Sequence, residues 1–154
     1  MFSIDKVLVP VSFSADSEAT VNYAIGLARP HNARLIFLHV INQDIIDSIQ
    51  QSSDKGYKGD FVRGVRNLVA EREADLRRLV PESCREELEV EFSVRKGAPA
   101  EKIIQAATDL SVKLVVLGTS AQSSEFPASL GNTTREVIDA SPCPVLLVRP
   151  FSGE

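Results

Sequence analysis

The hydrophobic positions of the chain fall into five short runs, and each of the four stretches between these runs contains a segment with helical spacing. The runs lie at residues 6–11, 34–41, 88–94, 113–118 and 144–149. Most of them are nearly continuous in aliphatic and β-branched residues, which is typical of strands buried on both faces. Residues 88–94 alternate apolar and polar positions, as an edge or half-covered strand does. The pattern therefore predicts five β-strands.

Four segments with helical spacing lie between the runs, at residues 16–28, 61–79, 99–110 and 131–140. Ser14 and Asp16 are candidate N-cap residues at the start of the first segment, and Pro30 predicts its end. The third carries Pro99 at its first position, where the missing N–H of a proline has no intrahelical partner to lose. Each segment places aliphatic side chains on one face, which predicts four helices packed against the strands.

Residues 42–60 are polar and include Gly56 and Gly59, so they predict a mobile connection ahead of the second helix. Ile45, Ile46 and Ile49 are the apolar exceptions. We expect these three residues to form one short amphipathic turn against the core and not a lid over a binding site.

Strands that alternate with helices at this spacing require right-handed crossovers and a parallel sheet. The predicted fold class is therefore α/β, a doubly wound parallel sheet with helices on both faces. A chain of 154 residues is close to the length of one domain, so residues 1–154 are expected to form a single unit without a linker or repeat.

Composition and charge narrow the function classes. The chain is 44% hydrophobic and carries 17 basic against 21 acidic residues, a net charge of −4. This balance shows no electrostatic footprint for nucleic acid or an anionic membrane, and neither partner is expected. The first residues lack the pattern of a secretory signal, which favours a cytoplasmic location. Cys84 and Cys143 are then expected to be reduced, and His31 and His39 lack the spacing of metal ligands.

Candidate chemistry lies where the strands end, because a doubly wound sheet binds its ligands beyond the carboxyl ends of the strands at the point where strand order reverses. Ser12 follows the first strand and Gly118 ends the fourth, while Gly131 opens the last helix ahead of Thr133 and Thr134. A glycine followed by hydroxyl residues at a helix N-terminus offers free N–H groups to an anion. Neither common phosphate-binding signature is present.

Residues 118–122 do not support a hydrolase. The segment GTSAQ resembles the nucleophile elbow Gly-x-Ser-x-Gly, but its second glycine is absent and no histidine follows Ser120. The sequence therefore favours a binding protein over a dedicated enzyme.

Almost the whole chain resembles the universal stress protein family. The resemblance is carried by six blocks in the family's order: 7–11 (VLVPV), 38–40 (LHV), 97–104 (GAPAEKII), 114–119 (LVVLGT), 130–138 (LGNTTREVI) and 142–149 (PCPVLLVR). It implies a five-stranded sheet in the order 3-2-1-4-5, a dimer, a role in stress resistance and, as in many members, ATP at the switch point between strands 1 and 4.

The nucleotide motif of the family is only partly kept. Members that bind ATP resemble Gly-x-x-Gly, nine residues, then Gly-Ser or Gly-Thr, and Gly118, the spacing and Gly131 match this pattern. Ala121 replaces the second glycine, Asn132 replaces the hydroxyl residue, and Ser12 stands where an aspartate is usual. The resemblance thus implies a diluted adenine-nucleotide site. Its expected residues are Val11, Ser12 and Val40 around adenine and ribose, and Gly118, Ala121, Gly131, Asn132 and Thr133 around the phosphates, with Mg²⁺ carried in by the ATP.

Two functions stay open on this pattern. One is a nucleotide-loaded switch, and the other is a nucleotide-free dimeric interaction module in which the same glycines only shape turns. In both, the last strand would form an apolar sheet edge that needs covering. We expect it to pair with its own copy across a twofold axis, as an isologous homodimer through Val145, Leu146, Leu147 and Val148.

Overall fold

The computed structural model describes residues 3–53, 58–119 and 131–149. These residues form five strands and six helices. The strands are β1 (Lys6–Pro10), β2 (Arg34–Asn42), β3 (Val90–Gly97), β4 (Leu114–Gly118) and β5 (Val145–Val148). The helices are α1 (Ser17–His31), α2 (Gln43–Ser53), α3 (Lys58–Leu79), α4 (Glu82–Glu87), α5 (Pro99–Asp109) and α6 (Asn132–Ala140).

The strands form one parallel sheet in the order β3-β2-β1-β4-β5, which confirms the fold class and the strand order expected from the resemblance. β1 lies between β2 and β4. The chain winds outward from β1 to β2 and β3, and it then crosses back to β4 and β5. The carboxyl ends of β1 and β4 therefore flank the point where the strand order reverses.

Successive side chains of each strand enter two different core layers, because side chains alternate between the faces of a sheet. Val9 and Phe37 pack with α1 and α3, whereas Leu8 and Ile36 pack with α5. Phe37 is fully buried and stacks on Phe92 with 5.9 Å between ring centroids. Helices thus cover both faces, as predicted for a doubly wound sheet.

The prediction of a mobile connection over residues 42–60 is wrong for most of its length, because residues 43–53 form α2. The Asn42 side chain accepts a hydrogen bond from the Asp44 N–H at 3.0 Å, which stabilises the start of the helix. Ile46 is buried with Ile41 and Val65. The expected contact with the core is therefore confirmed for Ile46 and Ile49, although the segment is a helix of 11 residues and not a single turn. It is wrong for Ile45, which is exposed and lines the cavity described below.

The boundaries of several elements also differ from the predicted ones. Pro30 does not stop α1 but lies in its last turn. The helix ends at His31, and Asn32 follows as its C-cap in the left-handed conformation, with φ at 50°. The short helix α4 was not predicted. β3 starts two residues later than expected and runs on to Gly97, since its pairing with β2 continues as far as Asn42.

Candidate functional site

A cavity of about 540 Å³ lies at the carboxyl ends of β1, β2 and β4. The first turns of α1, α5 and α6 and one residue of α2 complete its wall. Its volume is within the range of small-molecule sites. The cavity therefore occupies the switch point of the sheet, where the sequence placed the candidate chemistry.

The structure brings together all the candidate residues that it describes. The cavity is lined by Val11, Ser12, Val40, Gly118, Gly131, Asn132 and Thr133. Ala121 lies outside the described residues, so its predicted place beside a phosphate stays a prediction.

One side of the cavity is apolar. Val11 is 4% exposed and Val40 is half-buried, and both lie beside Leu38 at the strand ends. Pro99 and Ile103 add the start of α5 to this side. Sequence reasoning missed Leu38, Pro99 and Ile103. They could have been found, because the end of the second predicted strand and the start of the third predicted helix both lie at the carboxyl ends of the strands. Together these side chains provide a slot suited to a planar, largely apolar group.

The other side of the cavity is polar. The Ser12 hydroxyl donates to the Ser14 hydroxyl at 3.0 Å, and the Thr20 hydroxyl donates to the Asp16 carbonyl at 2.9 Å. Ser17 and Thr134 add two more hydroxyl groups to the lining. Hydroxyl groups donate and accept hydrogen bonds, so this wall suits a sugar or an alcohol as well as a phosphate.

Asp16 contributes the charge on this side. It occupies the N-cap position of α1 without a side-chain cap hydrogen bond. Its carboxylate accepts a hydrogen bond from the Thr119 hydroxyl at 3.2 Å, across the gap between α1 and the end of β4. Sequence reasoning treated Asp16 only as a cap, and spacing along the chain gave no sign of this contact between residues 103 positions apart.

The N-terminus of α6 faces the same cavity. Gly131 is its N-cap residue, in an extended conformation with φ −65° and ψ 158°, and its N–H donates to the Thr119 carbonyl at 3.4 Å. The amides of Asn132 and Thr133 follow in the first turn, where N–H groups have no carbonyl four residues back within the helix to bond. This end of α6 can therefore hold an anionic group.

Gly118 is required for close packing of α1 against β4. A Cβ atom at this position would lie 2.8 Å from the Thr20 hydroxyl oxygen, closer than van der Waals contact allows. Thr20 is β-branched and its hydroxyl is bonded within α1, so it has little freedom to move aside. We expect Gly118→Ala to lower the free energy of unfolding by about 1–3 kcal/mol.

A double-mutant cycle in denaturant tests this packing. Removing the opposing hydroxyl with Thr20→Ala should recover about 1 kcal/mol or more of the loss. Gly26→Ala is the matched control, because nothing lies within 4 Å of a Cβ at that helical position. It should leave stability equal or raise it by up to about 1 kcal/mol. Additive effects of Gly118→Ala and Thr20→Ala would contradict the close contact.

His39 lines the cavity at the end of β2. Its Nδ1 lies 2.7 Å from the Val11 carbonyl oxygen, and its ring lies 4.7 Å from that of Phe13, which has a positive φ of 60°. Burial lowers the pKa of His39 below its ordinary value, and the hydrogen bond to Val11 opposes this shift. Arg72 lowers the pKa further and Asp75 raises it, both with smaller effect.

Acid is expected to destabilise the protein through His39. The unfolded chain, with a histidine pKa near 6.5, takes up the proton at higher pH than the folded chain does. The contribution of His39 is therefore fully present above pH 6.5 and is lost as the pH falls below it. Denaturant unfolding of the parent and of His39→Gln between about pH 7.5 and 5 measures this. The parent should lose more stability than the variant, and parallel pH profiles would contradict the assignment.

Over residues 3–53, 58–119 and 131–149, no cluster of three or more His, Cys, Asp or Glu residues could hold an ion. Cys84 and Cys143 are free thiols, and burial raises the pKa of Cys84. In the same residues, no helix is long and apolar enough to cross a membrane.

Fold and cavity together define a doubly wound α/β protein with a ligand cavity at the switch point of its sheet. The chain belongs to the Universal stress protein family, whose model matches residues 3–149. It is similar to Universal stress protein YxiE of Bacillus subtilis, 27% identical over 146 residues that cover 94% of this chain and 99% of that protein. It is also similar to Universal stress protein MJ0577 of Methanocaldococcus jannaschii, at 26% identity and 94% coverage of both chains.

Solved structures of the family agree with the fold. The structure of MJ0577 superposes with a TM-score of 0.70 at 22% identity, covering 99% of this chain and 100% of that one. UspA from Lactobacillus plantarum superposes with a TM-score of 0.66 at 22% identity, covering 97% and 100%. These structures confirm the fold, and the family model over residues 3–149 confirms the expected family membership.

Proposed function

We propose that this protein binds an adenine nucleotide in the switch-point cavity and acts through the bound and free states of that site. The observation that carries the proposal is the meeting of three features in one cavity: an apolar slot, a wall of hydroxyl groups and the N-terminus of α6. These features match the base, the ribose and the phosphate of one ligand.

Two similar proteins support this choice of ligand. One solved structure is of a universal stress protein in complex with cAMP, with a TM-score of 0.62 at 19% identity. Another is of the universal stress protein from Archaeoglobus fulgidus in complex with dAMP, with a TM-score of 0.57 at 15% identity. Those ligands are adenine nucleotides, which are bound by proteins of the same fold.

The proposed roles follow the cavity wall. Val11 and Val40 contact the adenine, and Ser12 hydrogen-bonds the ribose. The first turn of α6 and the end of β4 hold the phosphate, and any Mg²⁺ enters with the nucleotide. The proposed phosphate residues are Gly118, Ala121, Gly131, Asn132 and Thr133.

The site is expected to be weak. Ser12 offers a neutral hydrogen bond where the family resemblance implies a carboxylate. A charged hydrogen bond contributes about 1.5–3 kcal/mol against about 0.5–1.5 for a neutral one. That difference weakens binding by roughly one power of ten. Calorimetric titrations of nucleotide-stripped protein with AMP and, separately, with ATP and Mg²⁺, each carried to about 10 mM, test the proposal. Saturable binding of either nucleotide supports it, and absence of both heat and thermal protection with both nucleotides refutes it.

A nucleotide-free interaction module is the second candidate function. The close approach of Thr20 to Gly118 favours it, because this contact requires the glycine whether or not a ligand is present. The same titrations separate the two candidates, since only a nucleotide-dependent protein shows saturable heat.

We further propose a homodimer through β5. In the order of the sheet, β5 has a described strand neighbour only on its β4 side. The Val115 N–H donates to the Pro144 carbonyl, so the backbone polar groups of Pro144 face β4. Successive residues of a strand direct these groups to opposite sides, so the N–H groups of Val145 and Leu147 point away from β4. An apolar strand edge whose N–H groups point away from its described neighbour is suited to pair with a second copy of itself.

The remaining expectations follow from this function. We propose that residues 1–154 form one domain that works in the cytoplasm during stress responses. Its activity is ligand-dependent binding and not a dedicated catalytic reaction.

A further inference from the structure

The charges around the cavity are unusual for a phosphate site. Among the described lining residues, Asp16 is the only Asp, Glu, Lys or Arg. The burial that lowers the pKa of His39 favours its neutral form. Sites for polyphosphates ordinarily use cationic side chains or bound metal to balance the charge of the ligand.

The Asp16 carboxylate lies on the phosphate side of the cavity. It accepts a hydrogen bond from Thr119, and the carbonyl of the same Thr119 receives the N–H of Gly131 at the start of α6. Asp16 Cβ is also 3.6 Å from the position of a Cβ on Gly118. The carboxylate and the first turn of α6 are therefore neighbours around the end of β4.

One helix N-terminus balances little charge. It corresponds to roughly half of a positive charge, concentrated in the first turn. A single phosphate at Asn132 and Thr133 would satisfy the free N–H groups there. A second and a third phosphate would find no cationic side chain among the described lining residues and would approach Asp16, which repels them.

We propose, on the basis of the proposed function, that the cavity selects adenine nucleosides carrying no more than one phosphate, and that Asp16 is the specificity-determining residue that disfavours ATP. The hydrogen bond from the Thr119 hydroxyl holds this carboxylate beside the end of β4. The carboxylate thus discriminates between ligands by charge and leaves the base and ribose contacts unchanged.

Titrations of stripped protein with adenosine, AMP and ATP in EDTA test this selectivity. The parent should bind ATP at least about fivefold more weakly than AMP, and Asp16→Asn should tighten ATP binding by about five- to tenfold. Adenosine affinity should change by less than about twofold, because adenosine carries no charge to repel. Asparagine caps a helix as well as aspartate and can still accept from Thr119, so the variant should keep the fold.

A charge-matched control and a salt series sharpen the test. Asp109→Asn removes the same charge from the exposed C-terminal end of α5. Because α5 leads into β4, this end lies at the amino ends of the strands, opposite the cavity. The substitution should leave all affinities unchanged. Raising the salt concentration from about 0.05 to 0.5 M should narrow the gap between AMP and ATP in the parent, because salt screens repulsion.

The outcomes separate this inference from the proposed function. No binding of any of the three ligands would refute the proposed function and the inference with it. ATP binding as tight as AMP binding, or an unchanged ratio in Asp16→Asn, would refute the inference alone. The inference would also be refuted if Mg²⁺ tightened ATP binding in the parent but not in Asp16→Asn. Asp16 would then bind the metal and favour ATP.

Discussion

Gly131→Val is expected to abolish saturable nucleotide binding at ligand concentrations that saturate the parent. Gly131 lines the cavity directly before the first turn of α6. A branched side chain would occupy space in front of the amides that are proposed to hold the phosphate. The backbone angles of Gly131, φ −65° and ψ 158°, are accessible to valine, so the fold should persist. Calorimetry with AMP measures the effect.

Two further variants make this result interpretable. Gly26→Val is the matched control, because a Cβ there meets nothing within 4 Å, and it should bind AMP as the parent does. Thr133→Val removes one hydroxyl without changing the shape of the side chain and should weaken binding by about two- to tenfold. Thermal unfolding must show that each variant is folded. Parent-like affinity in folded Gly131→Val would place the ligand elsewhere.

Leu147→Pro is expected to convert the proposed dimer into a monomer at micromolar protein. Proline removes the N–H that points away from β4 and leaves the bonds of the β4–β5 ladder in place. Sedimentation velocity over a range of concentrations measures the change. The effect should be large because an edge strand of four residues has few N–H groups with which to pair.

Leu147→Ala is the control for the lost side chain. Leu147 is half-buried against the core layer on the α5 side, so both substitutions remove the same apolar contact. Only proline removes the N–H, and Leu147→Ala should therefore remain largely dimeric. A concentration-independent monomer for the parent, or equal dissociation of the two variants, would contradict pairing through β5.

The fold could be predicted because its signals are local. The apolar runs are dictated by burial on both faces of the sheet, and Pro99 at the start of α5 is a strong helix signal. The segment 43–53 was misjudged because its polar composition outweighed a pattern in which Ile46 reaches the core. The prediction that α1 ends at Pro30 was wrong. A proline in the last turn removes one backbone hydrogen bond but does not prevent the helix from continuing by one residue.

The cavity could be predicted only in outline. Strand ends and the glycines at 118 and 131 indicated where it lies, since the switch point follows from topology. The contact of Asp16 with Thr119 and the approach of Thr20 to Gly118 depend on how α1 is placed on β4. No pattern within one segment carries that information. The features that distinguish this cavity from a generic phosphate site are therefore visible only in three dimensions.

The most direct test of the central claim, an adenine nucleotide in the switch-point cavity, is an NMR titration of ¹⁵N-labelled protein with AMP to about 10 mM. The amide resonances of Ser12, Gly118, Asn132 and Thr133 should shift along one saturable curve. The amide resonances of Asp109 and Lys113, which lie at the amino ends of the strands, should not shift. Absence of saturable shifts, or shifts confined to residues outside the cavity, would contradict the account.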